Sequence, residues 1–137
     1  MAASTAPREA SKKPGFLQNY ALGICRVNKG TLVSLRTDGL LYPARAGTAT
    51  DIFAGVAYET IDNSMGTAGG AFCRVEKSGS YLFSAASAVT QADVGQPYYA
   101  ADDQTVTMVG TSNQLVGYAV ELADSTDVRI RIDRAVQ

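Results

Sequence analysis

The chain has 137 residues, 46% hydrophobic and 18% charged, with a formal net charge of −1. That length suits one domain, or two very small ones sharing a core, and buries about two-thirds of its unfolded surface without staples. Near-neutral charge provides no basic field for nucleic-acid phosphates, no run approaches the roughly 20 apolar residues that span a bilayer, and the lack of histidine removes Ser-His-Asp and Cys-His catalysis.

Residues 1–15 are Ala, Ser, Thr, Pro and charge, with Pro7 and Pro14 among them and Arg8, Lys12 and Lys13 as cations. Without apolar periodicity the segment reads as a flexible N-terminal arm, either a frayed terminus or a strap that orders against a neighbouring chain. No apolar stretch follows Met1, so it is not read as a secretory signal, and synthesis in the cytoplasm is expected. Residues 16–137 read as a single β domain, because Thr, Val, Ser, Gly and Tyr are plentiful while helix-favouring Lys, Glu and Leu are sparse.

A first strand is expected over Ala21 to Val27, then a turn at Asn28-Lys29-Gly30 and a strand over Thr31 to Arg36. Asp38-Gly39 is a strong hairpin signal that returns the chain through Leu40-Leu41-Tyr42, with Pro43 limiting further pairing. After a small polar loop, Asp51 to Glu59 reads as a strand, and 60–70 as loop. Ala71 to Lys77 alternates, setting Cys73 and Val75 opposite Arg74 and Glu76. Ser80 to Phe83 is extended, and Ser84 to Val94 is the one helical candidate, a single turn or a wide loop. Gln96 to Ala101 and Thr105 to Val109 form a hairpin, and Gln114 to Ala123 is a strand. Val128 to Asp133 alternates most cleanly, with Val128, Ile130 and Ile132 facing inward.

Gly55-Val56-Ala57-Tyr58-Glu59 is echoed 62 positions later by Gly117-Tyr118-Ala119-Val120-Glu121. Matching turns and strand starts surround both copies, so the domain is expected to hold an internal repeat over about 29–77 and 94–133. The fold class expected is therefore all-β: an antiparallel β-sandwich or partly open β-barrel from two related halves.

Little chemistry is visible. Gly66-Thr67-Ala68-Gly69-Gly70 lacks the following Lys of a phosphate loop. Asp102-Asp103 and the pair Asp124 and Asp127 are turn formers, and the latter lacks the ligand count calcium needs. Cys25 and Cys73 have no Cys-x-x-Cys partner and read as small buried residues. Glu59 and Glu121 occupy equivalent positions and read as strand-end residues that pair with arginine, with paired-carboxylate catalysis as the competing idea. No catalytic, cofactor or metal residue is assigned. Adjacent Tyr98 and Tyr99 face opposite sides of one strand, which directs at least one of them towards a surface or interface.

In order, the motifs are Gly55-Val56-Ala57, Gly79-Ser80-Tyr81, Asp93-Val94-Gly95-Gln96-Pro97-Tyr98-Tyr99, Gly117 to Glu121 and the closing Val128-Arg129-Ile130-Arg131-Ile132. This order resembles the capsid decoration (cement, head-stabilising) proteins of tailed phages, over about Gly23 to Ile132. The resemblance implies a non-enzymatic virion protein on the outer capsid surface. Its partner would be the major capsid protein, and it would stand as a homotrimer at three-fold or quasi-three-fold positions, bridging capsomers against internal DNA pressure. Neither nucleic acid nor membrane is an expected partner. Arg8, Lys12, Lys13, Tyr98 and Tyr99 are the residues expected to touch the capsid or a neighbouring subunit. A carbohydrate- or receptor-binding β module on a virion surface is the alternative reading.

Overall fold

The computed structural model describes residues 17–132, all-β apart from one 3-10 turn. The expected arm, with Arg8, Lys12 and Lys13, lies outside the described residues, as does Asp133. Twelve strands follow in chain order: β1 (Leu17–Ala21), β2 (Arg26–Val27), β3 (Leu32–Leu35), β4 (Leu41–Pro43), β5 (Ile52–Ala57), β6 (Ile61–Asp62), β7 (Phe72–Glu76), β8 (Ser80–Ala85), β9 (Pro97–Ala100), β10 (Thr105–Thr107), β11 (Leu115–Leu122) and β12 (Asp127–Arg131).

The first sheet runs β1-β7-β5-β3-β4, and the second is a closed barrel ordered β10-β8-β12-β11-β9. Starting at β8, the second order reads β8-β12-β11-β9-β10, which repeats the first strand for strand. The registers repeat as well. Val33 pairs with Gly55 as Tyr98 pairs with Gly117, and Ala57 with Val75 as Ala119 with Ile130. Tyr20 faces Cys73 as Phe83 faces Val128. Each sheet has a bulge at the same place, between Val33 and Ser34 against β5 and between Leu115 and Gly117 against β9. Closure is a two-residue parallel pairing of β8 with β10 in the second unit, and a single parallel bridge from Leu22 to Leu41 in the first. The two units are called barrel 1 and barrel 2 below.

Gly55 and Gly117 explain why the echo is spelled with glycine. A Cβ on Gly55 would collide with the Glu76 carbonyl oxygen, and one on Gly117 with that of Arg131. At both bulges the backbone of the neighbouring strand approaches too closely for a side chain.

Two apolar cores result. Leu22, Val33, Leu41, Ala54, Ala57, Cys73 and Val75 fill barrel 1. Tyr98, Ala100, Val106, Val116, Ala119, Val128, Ile130 and Ile132 fill barrel 2, and that cluster continues onto Leu32, Phe53 and Val56 on the outside of barrel 1. Both faces of β3 and β5 are therefore buried.

Three local expectations are corrected. The strand placed over Ala21 to Val27 is broken, because Leu22 donates to Ala71 O and accepts from Gly69 N, and Gly23 donates to Leu41 O. Those bonds turn residues 22–25 across the barrel mouth, with Ile24 exposed. The loop 60–70 contains a strand, β6, held to β2. Ser84 and Ala85 belong to β8, and only Gln91–Asp93 turns as a 3-10 helix, with Asp93 bonded back to Thr90 N.

Candidate functional site

The repeat makes it possible to compare equivalent surfaces. The outer face of barrel 1 formed by β3 and β5 carries Leu32, Ser34, Phe53 and Val56, each 4% exposed or less. One end of barrel 2 covers it. Leu32 N donates to Asp103 O at 2.7 Å, and Gly47 N to the Asn113 side chain at 2.8 Å. Ser34 Oγ donates to Gln114 Oε1. The cover is thus the β9–β10 turn and the residues leading into β11.

The equivalent face of barrel 2 is formed by β9 and β11. Its residues are Pro97 and Tyr99 for Leu32 and Ser34, and Leu115 and Tyr118 for Phe53 and Val56. No part of the described chain covers it: Pro97, Tyr99 and Leu115 are half-buried, and Tyr118 is 38% exposed. Met108 and Val109, beyond the end of β10, are 46% and 61% exposed. Val120 on β11 and Leu82 on β8 extend the apolar surface, interleaved with Arg129. An apolar sheet face over β9 and β11, bordered along β12 by Arg129 and Arg131, is the form of a protein-contact surface.

The two tyrosines of the sequence motif divide. Tyr98 is 2% exposed and fills barrel 2, where burial raises its phenol pKa. Tyr99 points outward, its ring over Gly110, and belongs to the exposed face. Parity along the strand was readable from sequence; which of the two turns inward depends on how the barrel closes. Sequence reasoning missed Tyr118, Val109 and Met108, whose signal was apolar residues at positions where a strand or turn meets water.

The carboxylates of the echo are tied within their own barrels. Glu59 makes a bidentate ion pair with Arg74, 2.9 and 3.1 Å to Nε and Nη2, and accepts from Arg74 N. The Arg74 side chain holds the Glu59 carboxyl below its ordinary pKa. Glu121 pairs with Arg129 at 3.9 Å. The two glutamates form no common site. Asp102 and Asp124 each accept main-chain N–H groups two and three residues ahead, as turn formers do. Among the described residues no three of His, Cys, Asp or Glu converge on a metal position. Both cysteines are free, and burial pushes the Cys73 thiol up to about 11, leaving it protonated and inert at neutral pH.

A concavity lies at the junction of the barrels. Leu17, Tyr58, Glu76, Ser78 and Tyr81 line about 230 Å³ of it. Tyr81 donates its hydroxyl to Glu76, and Arg74 stacks on Tyr58 at 4.9 Å.

No family model matches the chain, and no curated protein does. Among solved structures the chain is similar to the N base of head fiber gp8.5 of bacteriophage phi29, with a TM-score of 0.50 and 21% identity, covering 88% of this chain and 98% of that one. At that identity the likeness shows that the two chains share a fold.

Proposed function

We propose that the chain is a capsid decoration protein of a tailed phage, binding the outer surface of the head. The observation that carries this reading is the fold shared with a phage head-fiber base along nearly the whole of that base. The order of motifs in the sequence supports it independently. In this reading the major capsid protein is the partner and the protein acts as a homotrimer at three-fold or quasi-three-fold positions. It ties adjacent capsomers together, and its role is structural rather than enzymatic. Residues 1–15 serve as a contact arm carrying Arg8, Lys12 and Lys13, and 16–137 act as one domain whose halves descend from one unit. The matching registers of the two barrels support that descent.

The physical logic is repetition. A modest contact becomes strong when one particle of three chains engages several capsid subunits at once. Near-zero net charge lets many copies crowd on a shell without mutual repulsion.

The test is a reconstruction of phage heads incubated with the purified protein. Density for the double barrel between capsomers is the expected result. Absence of binding to expanded heads would remove the reading. Deleting residues 1–15 is expected to lower head occupancy while leaving the circular dichroism of the β domain unchanged; unchanged occupancy would reject the arm as a contact. The alternative, a carbohydrate-binding module, would stack sugar rings on exposed aromatic side chains, and Tyr98 is not available for this because it is inside the barrel.

A further inference from the structure

We infer that the exposed face of barrel 2 is a docking surface for barrel 1 of a second copy of this chain, in a head-to-tail contact that repeats the packing between the two barrels of one chain. The chain itself shows what covers such a face: the end of a barrel of the same kind. In barrel 2 that end is already used, by the chain's own barrel 1. The equivalent end of barrel 1 is the Asp38-Gly39 turn between β3 and β4 together with Ile52 at the start of β5, and Ile52 is 55% exposed.

The substitutions between the two faces are matched by substitutions between the two ends. Within the chain, Ser34 on the face is hydrogen-bonded to Gln114 on the end. Their counterparts are Tyr99 on the open face and Ile52 on the open end, so a polar pair is exchanged for an apolar one on both sides. Leu32 N donates across the internal interface, whereas its counterpart Pro97 has no N–H to leave unpaired. A face meant for water has no reason to change in concert with a distant barrel end.

Such a contact is heterologous: face and end are different surfaces. It runs on as a filament unless the rotation closes it into a ring. Three copies would make a ring of six barrels; that number rests on the proposed function, whereas the contact does not.

The test uses the full chain in solution, without capsids. Wild type is expected to sediment as a closed oligomer. Ile52→Lys on the end, and Tyr99→Lys or Val109→Lys on the face, are each expected to sediment as monomers with unchanged circular dichroism. An equimolar mixture of Ile52→Lys with Tyr99→Lys retains one intact face and one intact end, so it should give heterodimers and nothing larger. A monomeric wild type at sub-millimolar concentration overturns the inference. So does an oligomer that survives both substitutions, or a mixture that stays monomeric while the wild type assembles. Head binding is measured separately, so loss of the capsid reading and loss of this contact are distinguishable.

Discussion

Three residues show how closely the halves follow one backbone plan and how freely they fill it. Gly55 and Gly117 are fixed by the carbonyl oxygens of Glu76 and Arg131. Gly117→Ala therefore has to push β12 away and is expected to cost roughly 2–4 kcal/mol, lowering Tm by about 10 °C in calorimetry. Gly30→Ala is the control, since open space surrounds that position and only its φ of 83° opposes a side chain; about 1 kcal/mol is expected there. Lys77 shows the opposite freedom. It stands where barrel 2 has the fully buried Ile132, and its ammonium donates to Tyr20 OH at 2.8 Å and to Ala54 O at 2.6 Å. Burial lowers its pKa to about 8, from 10.5 in the unfolded chain. Between those values the unfolded state binds more protons, so stability rises with pH across the window. Below about pH 8 both states are charged and the full cost of burying the ammonium is present. The gain is expected to be at most about 3 kcal/mol. Lys77→Met should abolish it, read as the difference between the two proteins' denaturation midpoints from pH 7.5 to 10.5. Parallel profiles would show that the lysine is not desolvated.

At the scale of elements, legibility followed the number of buried faces. β7 and β12 have one face on the core and one in water, so Cys73 and Val75, and Val128 and Ile130, could be assigned inward from alternation alone. β5 is buried on both faces, and its run from Phe53 to Ala57 announced a strand without saying that Phe53 and Val56 face a second barrel. β2 and β6, two residues each, carry no period at all and exist because Cys25 O accepts from Asn63 N and Asn63 Nδ2 reaches Gly23 O. The echo was readable because its glycines answer a backbone constraint, while the interior around it changed. Val33 is matched by Tyr98, Cys73 by Val128 and Lys77 by Ile132. Total volume and pattern are what a barrel interior must keep. The exposed face was not legible for the same reason that Tyr98 and Tyr99 were not told apart: strand parity assigns two sides, and only closure says which is inside.

For the whole molecule, the proposed assembly and the proposed capsid binding would be coupled through avidity. If one chain makes a contact of affinity K with a capsid subunit, a particle that presents several such contacts gains an effective local concentration for each one after the first. The gain commonly reaches 10²–10⁴ in overall affinity without any new bond. A substitution that breaks association between copies, yet lies away from the capsid contact, should therefore weaken head binding by about that factor and leave the fold intact. Val109→Lys is suited to this because the side chain is 61% exposed and packs in neither core. Titrating heads with wild type and with Val109→Lys, and counting bound copies per shell, is expected to give the same saturation level reached at 10²-fold or higher concentration. The time course separates this from a damaged contact. Avidity lost through assembly shortens the residence of each copy on the shell and leaves its rate of arrival little changed. Equal affinity for both proteins would mean that single chains bind the head by themselves, and that contact between copies adds nothing to head binding; whether the contact exists is decided by sedimentation of the free chain.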